Sequence, residues 1–144
     1  MRIAIIGVGN VGSALARACN VAGHTVVMSS REVILRAAAS LAEAVVVLLA
    51  PGARVVKAFN TILASRFNDP VVDGVPLDDF YAGDDADAKR VVAGLLAEMG
   101  FHPIDTGELL TARALELIAF LNVTLNARNG WPWRSGWKLL GPTG

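Results

Sequence analysis

IAIIGVGNVGSALARA, Ile3 to Ala18, is the stretch on which the reading of this chain turns. Ile3 to Ile6 is an unbroken apolar run ending at Gly7, the pattern of a strand covered on both faces. Beyond it, Val11, Ala14, Leu15 and Ala18 recur at helical spacing, and Gly23 is placed to end a helix running from Asn10 to Val21. Thr25 to Met28 returns as a second strand. Strand, glycine turn, helix and strand in that order predict the first βαβ unit of a parallel sheet, with a right-handed crossover.

The turn, GVGNVG from Gly7 to Gly12, has the G-x-G-x-x-G spacing. Gly7 would permit the tight turn, Gly9 would let the backbone approach a pyrophosphate with no Cβ in the way, and Gly12 would let the helix pack closely on the strand. Asn10 and Val11 lie where the helix N-terminus directs its unpaired N–H groups and positive end at the phosphates. A plain structural turn could use the same glycines. The buried strand before the loop and the helix after it favour the cofactor cradle.

The end of the second strand selects the cofactor. Sites that prefer the unphosphorylated dinucleotide place Asp or Glu there to take the ribose 2′-OH. This chain has SSR, Ser29 to Arg31, with no carboxylate, two hydroxyls and a guanidinium suited to a bidentate, charge-assisted grip on a 2′-phosphate. The segment therefore predicts NADP. In the alternative, Ser29 or Ser30 caps the next helix and Arg31 is solvated, with Glu32 pairing with it or supporting the helix start.

Composition narrows the field. The chain has 144 residues, the length of one ordinary domain, with 53% hydrophobic and only 18% charged residues. Lys+Arg 13 balances Asp+Glu 13, which supplies no electrostatic footprint for nucleic acid or an anionic membrane. Neither is expected as a partner. Cys19 has no partner for a disulfide, and one Cys with two His makes a poor metal kit, so no metal site is expected and the reducing cytoplasm fits. No targeting segment is visible, and the nearly uncharged run Ala44 to Ala53 is too short to span a bilayer.

Further along, residues 32 to 44 read as a helix, and Val45 to Leu49 either extends it or forms a strand before Pro51 and Gly52. Val55 to Phe59 is a strand, Ile62 to Phe67 a short helix, and Asp69 to Gly74 a polar stretch. A strand from Phe80 to Ala82 closes at Gly83, and Asp84 or Asp85 caps a helix to about Met99 whose apolar side is Val91, Val92, Leu95 and Leu96. Phe101 to Ile104 is the last strand, followed by a long apolar helix from Leu109 to about Asn126 and the tail NGWPWRSGWKLLGPTG. His24 and His102 read as structural, and Cys19 as packed among small neighbours.

Five pieces carry a family likeness: GVGNVGSALA, SSR, ARVVKAFNTI (Ala53 to Ile62), AGDDADAK (Ala82 to Lys89) and GFHPIDTG (Gly100 to Gly107). With them the chain resembles the NADP-dependent oxidoreductases of the deazaflavin cofactor F420, whose dinucleotide domain is also similar to that of the membrane metalloreductases. The resemblance implies hydride transfer between NADP(H) and a flavin-like small-molecule partner such as F420. It places the phosphates on the Gly7 to Gly12 loop, the 2′-phosphate on Ser30 and Arg31, and Asn60, Thr61 and Ile62 beside the two rings. Asn60 and Thr61 are thus the candidate catalytic residues, as positioning groups rather than as acid or base.

The expected fold is α/β, a Rossmann-like parallel sheet flanked by helices, abbreviated in the middle, with a C-terminal apolar helix. Family members carry further strands and helices where this chain has only residues 32 to 54. A non-catalytic dinucleotide-binding or regulatory protein is therefore the alternative. Residues 1–108 form the dinucleotide-binding part, and 109–144 a helix and tail packed on it or on a partner subunit. Trp131, Trp133 and Trp137 could stack on a planar cofactor, cover the end of the domain or enter a subunit contact. The apolar helix exceeds one amphipathic stripe, which predicts a homodimer through the helix and tail.

Overall fold

Strand β1 (Arg2–Ile6) pairs in parallel with β2 (Thr25–Ser29), Arg2 lying opposite Thr25 and Ile6 opposite Ser29. The structure, a computed structural model, describes residues 2–6, 13, 16–17, 25–29 and 54–141. Ser13, Ala16 and Arg17 are helical, so strand, helix and parallel strand follow one another as their periodicity predicts. The glycine loop, Ser30, Arg31, Cys19, His24 and the ambiguous segment 45–49 lie outside the described residues.

A second, three-stranded sheet has the strand order β3 (Val56–Lys57), β6 (Asp78–Gly83), β7 (His102–Asp105). Strand β3 (Val56–Lys57) leads to a 3-10 turn (Ala64–Arg66) and a small hairpin of β4 (Val71–Val72) and β5 (Val75–Pro76). The central strand β6 (Asp78–Gly83), helix α1 (Ala86–Glu98) and strand β7 (His102–Asp105) come next. A 3-10 turn (Leu109–Thr111) then enters helix α2 (Ala112–Asn129). The β6-α1-β7 unit is a parallel crossover, whereas β3 runs antiparallel to β6. The sheet is thus mixed, with β3 as an antiparallel strand beside the parallel β6–β7 pair of the expected Rossmann-like sheet, and the strand expected over Val55 to Phe59 is only two residues long. It stops because Phe59 turns to a φ of 68°, which ends extended backbone.

Strand β6 is buried throughout, and its period-2 alternation divides the core. Leu77 and Tyr81 join Ile62, Phe67, Leu95, Leu96 and Phe101 under α1, with Ala16 of the first helix in the same cluster. Phe80 and Ala82 face the other way, onto Leu115, Ile118 and Trp137. On α1, Leu95 and Leu96 are buried, but Val91 is 50% exposed and leaves the apolar side assigned to it. Gly83 must be glycine, because a Cβ there would stand 2.8 Å from the Val55 carbonyl oxygen. The polar stretch before β5 is a tight hairpin: Asp73 and Gly74 both take positive φ, 51° and 80°, as a primed turn requires.

Helix α2 ends at Gly130, whose left-handed φ of 64° caps it. The span Leu109–Asn129 is long and apolar enough, by length and composition, to cross a membrane. Its inward face carries Ala112, Leu115, Asn122 and Asn126, and its outward face exposes Leu117, Phe120, Leu121 and Val123. The buried asparagines are served by the tail: Asn126 Nδ2 donates to Ser135 Oγ at 2.6 Å and Ser135 Oγ to Asn122 Oδ1 at 2.6 Å.

Candidate functional site

The turn from Phe59 to Ile62 is held from several sides. Ile62 N–H donates to the Phe59 carbonyl at 3.4 Å, and the Phe59 ring lies 6.1 Å from that of Phe67. Ile62 is buried in the α1-side core. Thr61, 1% exposed, donates its hydroxyl to Asp79 Oδ1 at 3.1 Å. A bulky residue in the left-handed region stores about 1–2 kcal/mol of backbone strain, which persists only where its surroundings enforce it. These contacts do so, and Asn60 is the residue they leave at the apex. It is half-buried, and neither its Oδ1 nor its Nδ2 has a hydrogen-bond partner among the described residues.

Asp79 sits behind this turn. Its side chain is fully buried on the Leu77–Tyr81 side of β6, and its Oδ2 has no partner among the described residues. Burial pushes its carboxyl up to about 7, against the opposing pull of the Thr61 hydroxyl and the Phe59 backbone N–H. The neighbouring Asp78 has the opposite fate on the opposite face. Burial alone would raise its pKa, but the Leu139 N–H at 2.6 Å, Lys138 Nζ at 2.7 Å and His102 Nδ1 at 2.7 Å together hold it below the usual carboxylate range.

Asp78 thereby anchors the tail. Its own N–H donates to the Trp137 carbonyl at 2.9 Å, so the tail lies along β6 on the edge away from β7. Arg66 Nε donates to the Arg134 carbonyl at 2.5 Å, and Arg134 pairs with Asp69. Trp137 packs on Phe80, Ala82 and Leu115, whereas Trp131 and Trp133 are 44% and 47% exposed. Of the three roles open to the tryptophans, Trp137 covers its own domain.

The carboxylates of the AGDD segment are structural. Asp85 Oδ1 accepts from Ala88 N–H at 2.7 Å and caps α1, and Asp84 Oδ1 accepts from Leu109 N–H at 2.9 Å. His102 serves Asp78, in keeping with its structural reading.

Of the site residues read from the sequence, Asn60, Thr61 and Ile62 stand together in one turn, and of these three Asn60 offers a polar group unengaged among the described residues. Thr61 and Ile62 point into the core. Ser29 is the last residue of β2, and Gly7, Gly9, Asn10, Val11, Gly12, Ser30 and Arg31 lie outside the described residues. The pair Asp78–Asp79 was missed because the strand was begun at Phe80. The signal was LDDFYA, two carboxylates flanked by large apolar residues at strand spacing.

A parallel strand pair with helical residues between its strands, together with a mixed sheet and its β6-α1-β7 crossover, defines a Rossmann-like α/β domain. Residues 2–76 match the family described as NADP oxidoreductase, coenzyme F420-dependent, and the chain belongs to that family. The metalloreductase STEAP3 of Rattus norvegicus is 40% identical over 70 residues, which cover 49% of this chain and 14% of that protein. The chain thus spans a small part of that relative's length. Among solved structures, a candidate F420-dependent NADP-reductase from Arthrobacter sp. FB24 has the same fold, with a TM-score of 0.76 and 23% identity over 96% of this chain and 99% of its own. A hypothetical protein from Sinorhizobium meliloti is similar with a TM-score of 0.52 and 25% identity, over 74% of this chain and 85% of its own. The first likeness takes in nearly all of both chains, so that structure is built to the same extent.

Proposed function

We propose that this chain is an NADP(H)-dependent oxidoreductase that moves a hydride to or from a flavin-like acceptor, with F420 the first acceptor to test. The observation that carries the reading is the Asn60 carboxamide, held at the apex of a strained turn with both polar atoms unpartnered among the described residues. A buried amide without partners suits a ligand that presents a donor and an acceptor together, as a nicotinamide carboxamide or the edge of a flavin-like ring does. The bound dinucleotide supplies the hydride, and the protein's task is to hold ring atoms in register and keep water out.

In this reading Gly7 to Gly12 cradle the pyrophosphate and Ser29, Ser30 and Arg31 take the 2′-phosphate. Asn60 meets the ring end, while Thr61 and Ile62 fix the turn from behind. The outward apolar face of α2 belongs to the interface of a homodimer, since Leu117 and Phe120 are 69% and 68% exposed while the polar Asn122 and Asn126 are turned inward.

The test is calorimetric titration with NADPH and NADH, followed by an assay of NADPH oxidation with F420 and with a free flavin. Tight NADPH binding with turnover supports the reading. Tight binding with no turnover on any acceptor would favour the non-catalytic dinucleotide-binding alternative, which the short run of chain between β2 and β3 also favours.

A further inference from the structure

We propose that Asp79 is the positioning residue of this site: from behind, its buried carboxyl holds the Phe59–Asn60–Thr61 turn, and through it the Asn60 carboxamide that meets the ring end of the dinucleotide. The proposal rests on the reading of Asn60 given above. Asp79 touches no ligand itself.

Three observations converge on it. Thr61 Oγ1 donates to Asp79 Oδ1 at 3.1 Å, a fully buried contact between residues 18 apart in sequence. Phe59 keeps a φ of 68° that no glycine relieves, with its backbone N–H also turned to Asp79. Asp79 Oδ2 is buried and unpartnered, so the carboxyl has no second anchor among the described residues, and its hold on the turn is its only described polar engagement. An apolar residue would fill this place at lower cost, since a buried carboxyl with one oxygen unmet is expensive. Something must be gained from it.

Among the described residues, the charged groups on surrounding elements are paired elsewhere or exposed. Lys57 of β3 pairs with Glu116 of α2, Lys89 of α1 with Asp105 of β7, and Arg90 with Asp87. Arg66 pairs with Asp69, while His102 and Lys138 serve Asp78 on the opposite face. Arg17 of the first helix and Glu98 of α1 are exposed. The state of Asp79 is therefore set by its apolar surroundings and by the turn it holds. With a carboxylate there, the bonds from Thr61 and Phe59 are charge-assisted and the turn is fixed; with a neutral carboxyl they weaken. Ring binding should follow that change, and binding at the adenosine-phosphate end should not.

The experiment compares NADPH with 2′,5′-ADP, which lacks the nicotinamide half, by calorimetry from about pH 5.5 to 8.5, on the full chain and on Asp79→Asn and Thr61→Val. In the unaltered protein the ratio of the two affinities should rise roughly three- to tenfold between about pH 6 and 8, the size of one strengthened hydrogen bond. In Asp79→Asn only the drift from the 5′-phosphate of 2′,5′-ADP itself should remain, so that the rise is read as the difference from this variant, and in Thr61→Val the ratio should be lower and flatter, with 2′,5′-ADP binding retained in both. A ratio in the unaltered protein that does not change with pH, or changes equally in Asp79→Asn, overturns the positioning role even if the variant is too unstable to titrate in full. If neither ligand binds the unaltered protein, the dinucleotide reading fails first and the role of Asp79 with it.

Discussion

Replacing Asp79 by Asn should change stability in opposite senses on the two sides of neutrality. Burial holds this carboxyl up at about 7 in the folded chain, against an ordinary value of 3.8. The unfolded chain therefore loses the proton near pH 4, and the folded chain keeps it until about pH 7. Across that window the folded state binds more protons. Stability is accordingly full below the unfolded pKa, falls as pH rises to about 7, and is level above it. A shift of about three units corresponds to a loss of ~4 kcal/mol as an order of magnitude. Asn escapes this loss because it does not ionise, and its Oδ1 can still accept from Thr61. Its Nδ2 would stand where Oδ2 has no partner, and an unmet buried donor costs about 1–3 kcal/mol. The variant should thus be less stable than the parent by up to about 2 kcal/mol near pH 4.5 and more stable by about 1–3 kcal/mol near pH 8. Urea unfolding at a series of pH values, extrapolated to water, measures the difference, and groups that titrate alike in both proteins cancel. A difference that stays constant from about pH 4.5 to 8 would refute the reasoning, because it would mean that the Asp79 carboxyl ionises as freely in the folded chain as in the unfolded one.

Four further outcomes are expected, two from the sequence motifs and two from the contacts of the tail and α2. Arg31→Ala should weaken NADPH binding by about 1.5–3 kcal/mol, roughly ten- to hundredfold, and leave NADH binding unchanged; equal loss for both ligands would remove the 2′-phosphate from Arg31. Gly9→Val should abolish binding of either dinucleotide with the circular dichroism spectrum preserved, and retained affinity would show that the loop does not face the phosphates. Asp78→Asn should release the tail at a cost of about 2–3 kcal/mol, read from Trp137 fluorescence and protease cleavage beyond Gly130. Because Asp78 is held below 3.8, its contribution is present above that value and lost as pH falls through the lower folded pKa, so acid should free the tail in the parent protein as well. Finally, sedimentation equilibrium should give a dimer that Phe120→Glu dissociates; a parent protein that is monomeric at all concentrations would defeat the interface.

What the sequence determined by itself was local. Ile3 to Ile6 before Gly7 and the small residues after it could be read as strand and helix, since period and glycine placement act within a few residues, and the parallel pairing of β1 with β2 follows the βαβ order. The capping of α1 by Asp85 was legible for the same reason, as one side chain reaches an N–H three residues on. The turn from Phe59 to Ile62 was legible as a motif through the family resemblance, and Asn60 stands at its apex. Tertiary structure alone decided the rest. That β3 runs antiparallel to β6 depends on a contact between Val56 and Gly83, and that Gly136 lies too close to Leu77 for a Cβ depends on the course of the tail. Adjacent aspartates at 78 and 79 are indistinguishable as a string. Strand alternation sends them to opposite faces, and only the packing supplies one face with a lysine, a histidine and the Leu139 N–H from 61 residues away, and the other with a threonine and apolar side chains. A carboxyl's charge state is set by what surrounds it in space, which is why one of these two anchors the tail as an anion and the other remains a buried acid behind the site.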